Sequence, residues 1–171
     1  SGITADKEVK ERRLHNQKIF INKWNKVLKN KLFDDKLNNN QIFTDRPLTV
    51  SFVVTQSDEN TTAGDYFTAL TLAKQFEKFG WNIKYQSQRK SKNQRDWYYV
   101  DEDVDVLISL LDRYDLSQVE CENGLLIKVA WLRNWFERWT DSDFFRNYDI
   151  VLASSQKACD YIENKMSMKA I

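Results

Sequence analysis

From Leu48 onward, apolar runs alternate with short polar stretches, and the first run, Leu48 to Val54 (LTVSFVV), shows no apolar/polar alternation. A strand covered on both faces loses that alternation, so the run predicts a buried strand of a parallel sheet. After a polar loop, TQSDENTTAGDYF, Ala69, Leu72, Ala73 and Phe76 fall at i, i+3, i+4 and i+7. That spacing predicts a helix, and Gly80 stands where a left-handed residue closes one. Trp81 to Tyr85 returns as a second strand. Asp103 to Leu111 (DVDVLISLL), Leu125 to Trp131 (LLIKVAW) and Asp149 to Ala153 (DIVLA) supply the third, fourth and fifth. A closing helix over Gln156 to Met166 turns Ala158, Cys159, Ile162 and Met166 inward, with Ser155 as its N-cap. Lys169-Ala170-Ile171 opens one more extended segment. The pattern predicts an α/β, Rossmann-like, doubly wound and mostly parallel sheet, with ligands beyond the carboxyl ends of its strands.

Ahead of the sheet, Ala5 to Leu37 predicts a helix with Ile19, Phe20, Trp24, Val27 and Leu28 on one face. Between Lys7 and Lys31 there are nine Lys or Arg and two Glu, a net +7 in a chain whose total is +1. Such a helix either packs on protein with its lysine stems solvated or lies on an anionic membrane as a peripheral anchor. Glu8, Glu11 and the Asn-rich end weaken the membrane pattern. Asn38-Asn39-Asn40 and Pro47 mark the boundary, giving a helical extension over residues 1–45 and an α/β part over 46–171.

The balance of 26 basic and 25 acidic residues gives no ground for wholesale nucleic-acid binding. At 171 residues the chain is long enough to bury one real core. No apolar run approaches about 18 residues and no signal peptide is visible, so a soluble, cytoplasmic chain is expected. Cys121 and Cys159 lie far apart without metal-ligand spacing and read as reduced thiols. Ser1-Gly2 has the look of an appended scar on an excised piece of a longer chain.

The sheet rule singles out several polar groups. Gly64 opens the helix after the first strand, where backbone N–H groups receive anions; a tight turn accounts for the same glycine without a ligand. Arg89, Lys90, Lys92 and Arg95 leave a strand's carboxyl end, placed either to meet an anion or simply to be solvated. Trp131 ends the fourth strand, Asn134 is placed to cap a short helix, and Trp135 and Trp139 lie four apart on one face. Arg133 and Arg138 suit an anion, and Glu137 suits a hydroxyl or a base role. The plain alternative buries Trp135 and Trp139 and pairs the charges with each other. Asp101, Asp103 and Asp105 form two D-x-D triplets, but they precede a strand and belong at its amino end, so no metal site is expected from them. Asp58, Glu59 and Asp65 in the first loop are better placed.

The stretch A-G-D-Y-F-T-A-L-T-L-A-K-Q-F-E-K-F-G-W-N-I resembles the first loop and helix of GT-B glycosyltransferases, particularly the family-4-like group. Ala69, Leu70, Leu72, Ala73, Phe76 and Gly80 coincide with that helix pattern, and Gly64 with the second glycine of its loop; Ala63 replaces the first. Y-D-I-V-L-A-S-S-Q-K-A-C-D-Y-I is similar to the group's last amino-domain strand and helix, bringing Ser154 and Ser155 to the cleft. I-K-V-A-W-L-R-N-W-F-E-R-W resembles a junction in bacterial members that build surface glycans.

The resemblance implies the amino-terminal, acceptor-binding domain of an enzyme whose missing carboxyl-terminal domain holds most contacts to a nucleotide-sugar donor. It implies Ala63, Gly64 and Asp65 near the donor diphosphate, and Trp131, Arg133, Asn134, Arg138, Ser154 and Ser155 on the side of the glycan acceptor. Tryptophan faces also stack on sugar rings. The chain's one histidine, His15, lies outside the α/β part, so no histidine base is assigned; Glu137 is the weak catalytic candidate. Neither a cofactor nor a metal is expected, and the isolated domain is expected to be inactive. A different class stays open, a non-catalytic α/β interaction module that docks a partner or membrane through its basic helix. A dinucleotide-binding domain is weaker, because the first loop lacks G-x-G-x-x-G.

Overall fold

The computed structural model describes residues 9, 11–13, 15–25, 27, 47–58 and 60–171, and the chain forms two units, residues 1–45 and 46–171. Every described residue of the first unit is helical. The rest of the helix expected over Ala5 to Leu37, the Asn38-Asn39-Asn40 boundary and Glu59 lie outside the described residues.

The second unit is an α/β domain. Its strands are β1 (Thr49–Val54), β2 (Asn82–Ser87), β3 (Tyr99–Val100), β4 (Val106–Ser109), β5 (Glu120–Cys121), β6 (Ile127–Leu132) and β7 (Ile150–Ala153). Five of them form an all-parallel sheet in the order β2-β1-β4-β6-β7, while β3 and β5 make a separate parallel pair. The helices are α1 (Gly64–Glu77), α2 (Gln94–Tyr98), α3 (Phe136–Thr140) and α4 (Gln156–Met166). The expected final extended segment is present: the Ile171 N–H donates to the Val151 carbonyl at 3.0 Å, and the Ala153 N–H donates to the Ile171 carbonyl at 2.8 Å.

Successive residues of a strand point to opposite faces, and β1 shows the consequence. Val50, Phe52 and Val54 pack with Ala69 and Ala73 of α1, whereas Val53 joins the opposite core with Leu107, Tyr114, Leu132 and Ile162. All six β1 residues are buried, which is why the alternation is missing from the sequence. Phe52 is fully buried and stacks on Phe76 at 6.2 Å and Tyr85 at 6.0 Å between ring centres. Gly80 closes α1 with φ 76°, as expected.

Three details differ from the sequence expectation. The third strand begins at Val106 rather than Asp103, because Asp101 to Asp105 are spent on the amino edge of the sheet. There Asp105 accepts the Thr49 N–H at 2.8 Å, and Lys84 bridges Asp101 at 2.7 Å and Asp103 at 2.8 Å. The crossovers after β2 and β4 are not long helices; short turns and the β3–β5 pair cover that face, with Trp97, Tyr98 and Tyr114 packed ring on ring. Gln86 to Trp97 is not a free loop. The Arg89 N–H donates to the Thr55 carbonyl at 3.0 Å and Lys90 Nζ to the Ser57 carbonyl at 2.6 Å, and Arg95 pairs with Glu120 at 3.1 Å.

Phe52→Ala is expected to cost about 3–5 kcal/mol of unfolding free energy in a urea titration, the range for a truncated core ring. Burial pushes the Tyr85 phenol up to about 12 and raises Tyr114 as well, so both fold in the neutral form. Their folded pKa values lie above the unfolded ones, so their contribution is complete below pH ~10; that of Tyr85 is lost as pH rises through about 12, and that of Tyr114 at still higher pH. Unfolding free energy measured across that window should fall, and the fall should be shallower in Tyr85→Phe.

Candidate functional site

In the order β2-β1-β4-β6-β7 the connection from β1 runs to one side of the sheet and that from β4 to the other. Connections diverging from adjacent strands leave a crevice beyond their carboxyl ends, the usual ligand position in open α/β sheets. A cavity of about 280 Å³ opens there. Thr55 from the end of β1 and Gly64 and Asp65 from the start of α1 form one wall. Asp112 and Arg113 after β4 form the floor side, and Arg133, Asn134, Trp135 and Arg138 after β6 close the other wall.

Local hydrogen bonds explain how each segment reaches this edge. Ser109, fully buried at the end of β4, accepts the Leu111 N–H at 3.3 Å and donates to the Leu111 carbonyl at 3.1 Å. That turn ends the strand and sends Asp112 and Arg113 across the rim, while Tyr114 is buried again behind them and donates to the Trp97 carbonyl at 3.2 Å. At the end of β6, Ser154 Oγ donates to the Arg133 carbonyl at 2.8 Å and the Ser154 N–H to the Leu132 carbonyl at 3.0 Å. Just past β1, the Thr55 N–H donates at 2.5 Å to the carboxylate of Asp65, which is buried in the first turn of α1.

The charges divide into paired and unpaired. Arg138 Nε meets Asp112 Oδ2 at 2.7 Å, and its guanidinium lies over the Trp135 ring at 5.1 Å. Arg113 donates to Thr55 Oγ1 at 3.1 Å and Gln88 Oε1 at 2.8 Å. Arg133 donates to the Gly64 carbonyl at 3.3 Å and to Thr68 Oγ1. Neither Arg113 nor Arg133 has a carboxylate partner among the described residues. The start of α1 has no side-chain cap, since Ala63 occupies that place; the Tyr66 N–H donates to the Ala63 carbonyl at 3.2 Å, while the Gly64 and Asp65 N–H groups have no intrahelical acceptor among the described residues. Gly64 does not have a left-handed φ, and a Cβ there would meet nothing within 4 Å. The tight-turn account of this glycine therefore has no geometric support.

Of the residues singled out from the sequence, Gly64, Asp65, Arg133, Asn134, Trp135, Arg138 and Trp139 border the cavity together, whereas Ala63, Trp131, Ser154, Ser155 and Glu137 do not. Trp131 is half-buried and packs on the α1 face of the sheet, because its place in β6 turns it away from the rim. Ser154 fixes the Arg133 backbone, and Ser155 caps α4 by accepting the Ala158 N–H at 3.3 Å. Glu137 stands exposed on the outside of α3. Asn134 does not cap α3: Trp135 holds the N-cap position with φ 48° and ψ 45° and no side-chain cap. Trp135 and Trp139 both border the cavity but differ in burial, Trp139 being 3% exposed and Trp135 61%. Asp101, Asp103 and Asp105 lie at the opposite, amino edge, and no cluster suited to a metal ion occurs among the described residues.

Arg113 is the residue that sequence reasoning passed over, and Trp135, named there only with Trp139, takes a larger place at the rim than its spacing suggested. A signal for Arg113 existed: the D-R pair directly follows a buried apolar run, the same position that drew attention to Arg133 after β6. A larger cavity of about 410 Å³ runs along edge strand β2 beside Lys84, Gln86 and Tyr99. Its Lys84 is already bound by two carboxylates, and the cavity does not span the switch point, so the smaller one is the better site. No family model matches the chain, and neither a curated protein nor a solved structure matches it.

A tryptophan held in the left-handed region is strained by roughly 1–2 kcal/mol. Trp135→Gly should therefore exceed Trp135→Ala in unfolding free energy by about 1 kcal/mol in urea titrations, since only glycine releases the backbone. Equal values would remove the strain from the account of this turn.

Proposed function

We propose that residues 46–171 form the acceptor-side domain of a glycosyltransferase that moves a sugar from a nucleotide-sugar to a glycan acceptor, in bacterial surface polysaccharide assembly. One observation carries the proposal. The two stretches that resemble the family, the Gly64 helix start and the Arg133 to Arg138 turn, border a single cavity at the switch point of the sheet. In the complete enzyme a second domain, carboxyl-terminal to this one, brings the donor to that rim.

Transfer of a sugar from a nucleoside diphosphate requires stabilisation of the charge that develops on the leaving diphosphate. The Gly64 and Asp65 N–H groups at the start of α1 supply this through the helix dipole, and the missing Cβ of Gly64 keeps the approach open. Asp65 is tied to the Thr55 N–H and Glu137 points away, so neither is the base. The leaving phosphate itself takes the acceptor proton in this scheme.

The test is sugar transfer by the complete protein against a panel of nucleotide-sugars, with the anomeric configuration of the product read by NMR. Transfer is expected from the complete protein and absent from residues 1–171. Gly64→Ala should retain the parent's melting temperature while transfer falls about tenfold, the scale of one lost transition-state hydrogen bond. Failure of the complete protein with every donor, or strong turnover by residues 1–171 alone, would end the proposal.

A second reading has its own observation. Ile19, Phe20, Trp24 and Val27 of the N-terminal helix are 43–57% exposed, an apolar row among lysines. That row suits an interaction module docking on a partner or an anionic membrane surface.

A further inference from the structure

Resting on that reading, we infer that the acceptor is an anionic sugar, a glycosyl unit bearing a phosphate or carboxylate, held by Arg113 and Arg133 with its ring against Trp135. The first argument is charge. Three guanidinium groups and two carboxylates border the cavity, leaving one net positive charge. Arg138 and Asp112 neutralise each other at 2.7 Å. Asp65 is buried and turned onto the Thr55 N–H. Arg113 and Arg133 are engaged only by neutral oxygens, so their charges are held in place by Thr55, Gln88 and the Gly64 carbonyl without being cancelled. Guanidinium groups oriented in this way match the fork of a phosphate or carboxylate.

Size and surface give the second argument. The cavity of about 280 Å³ is on the scale of one sugar ring with a charged substituent. Beside the arginines stands Trp135, 61% exposed and locked by an unusual backbone conformation that its own helix does not require. Strain of this kind is retained where the surroundings over-determine it, and it clusters at ligand sites. The Arg138 guanidinium lies over the indole at 5.1 Å, which fixes the orientation of the ring. A flat aromatic face next to two uncompensated cations selects a sugar that is charged rather than neutral.

The experiment measures binding to residues 1–171 by calorimetry, with glucose, glucose 6-phosphate, glucuronate, inorganic phosphate and UDP as probes. Both charged sugars should bind at least about tenfold more tightly than glucose. They should also bind more tightly than inorganic phosphate, because the ring contact with Trp135 adds to the anion contact. Arg113→Gln should weaken the charged sugars about tenfold and leave glucose unchanged, with Arg113→Lys recovering part of the loss. Trp135→Phe should retain binding that Trp135→Ala loses. UDP as the tightest ligand, displaced by Arg113→Gln, would assign the arginines to the donor diphosphate and overturn the acceptor inference. Equal binding of glucose and its phosphate, or no saturable binding of either charged sugar, would overturn it too. Transfer by the complete protein to a neutral acceptor, unaffected by Arg113→Gln, would sink this inference while leaving the glycosyltransferase reading intact. Charged-sugar binding without any transfer would do the reverse.

Discussion

An all-parallel sheet has to return the chain to its starting edge after every strand, and each return must cover one face. The side on which it does so decides where the carboxyl ends are left open. Here that constraint falls on the neighbours β1 and β4. The chain leaves β1 towards β2 through α1 and leaves β4 towards β6 by the opposite side, so no chain connection crosses the rim between Val54 and Ser109. Every group of the candidate site hangs from that gap. Two apolar cores, one under α1 and one under the β3–β5 pair, fix the strands on either side of it.

Polar residues at the rim do two separate jobs. Ser109, Asp65 and Ser154 are spent on backbone groups, and each ends a strand or closes a loop at a defined point. Arg113, Arg133 and Trp135 are positioned by those turns and keep their functional faces free of carboxylate partners or of burial. The amino edge shows the contrast. Asp105 and Asp149 accept the first N–H groups of β1 and the start of β6, and Asp101 and Asp103 share Lys84, so an acid-rich stretch there serves strand ends and carries no open ligand sphere.

Much of the architecture was legible in the chain. Five strands, α1 with its closing Gly80, the Ser155 cap on α4 and the extended Ile171 all follow from periodicity and end signals, because these depend on neighbours a few residues away. The acidic pattern before β4 was also rightly placed at the amino end, since strand direction alone settles that. Boundaries of the third strand and the nature of the crossovers were not legible. They depend on what Lys84 and the Trp97, Tyr98 and Tyr114 rings offer from elsewhere in the chain.

The site was half legible, and the division has a physical reason. Sequence alone identified the α1 start, Arg133, Asn134 and Arg138, because a residue just beyond a buried parallel strand must emerge at the ligand-facing edge. It determined, too, that the domain is α/β with a parallel core. Which tryptophan stays open at the rim was decided only by the tertiary structure: strand alternation sends Trp131 under α1, packing buries Trp139, and the left-handed N-cap swings Trp135 outward. Which arginines keep their charge was decided there as well. Pairing is a matter of distance in space, and Asp112 lies 2.7 Å from Arg138 although 26 positions separate them along the chain.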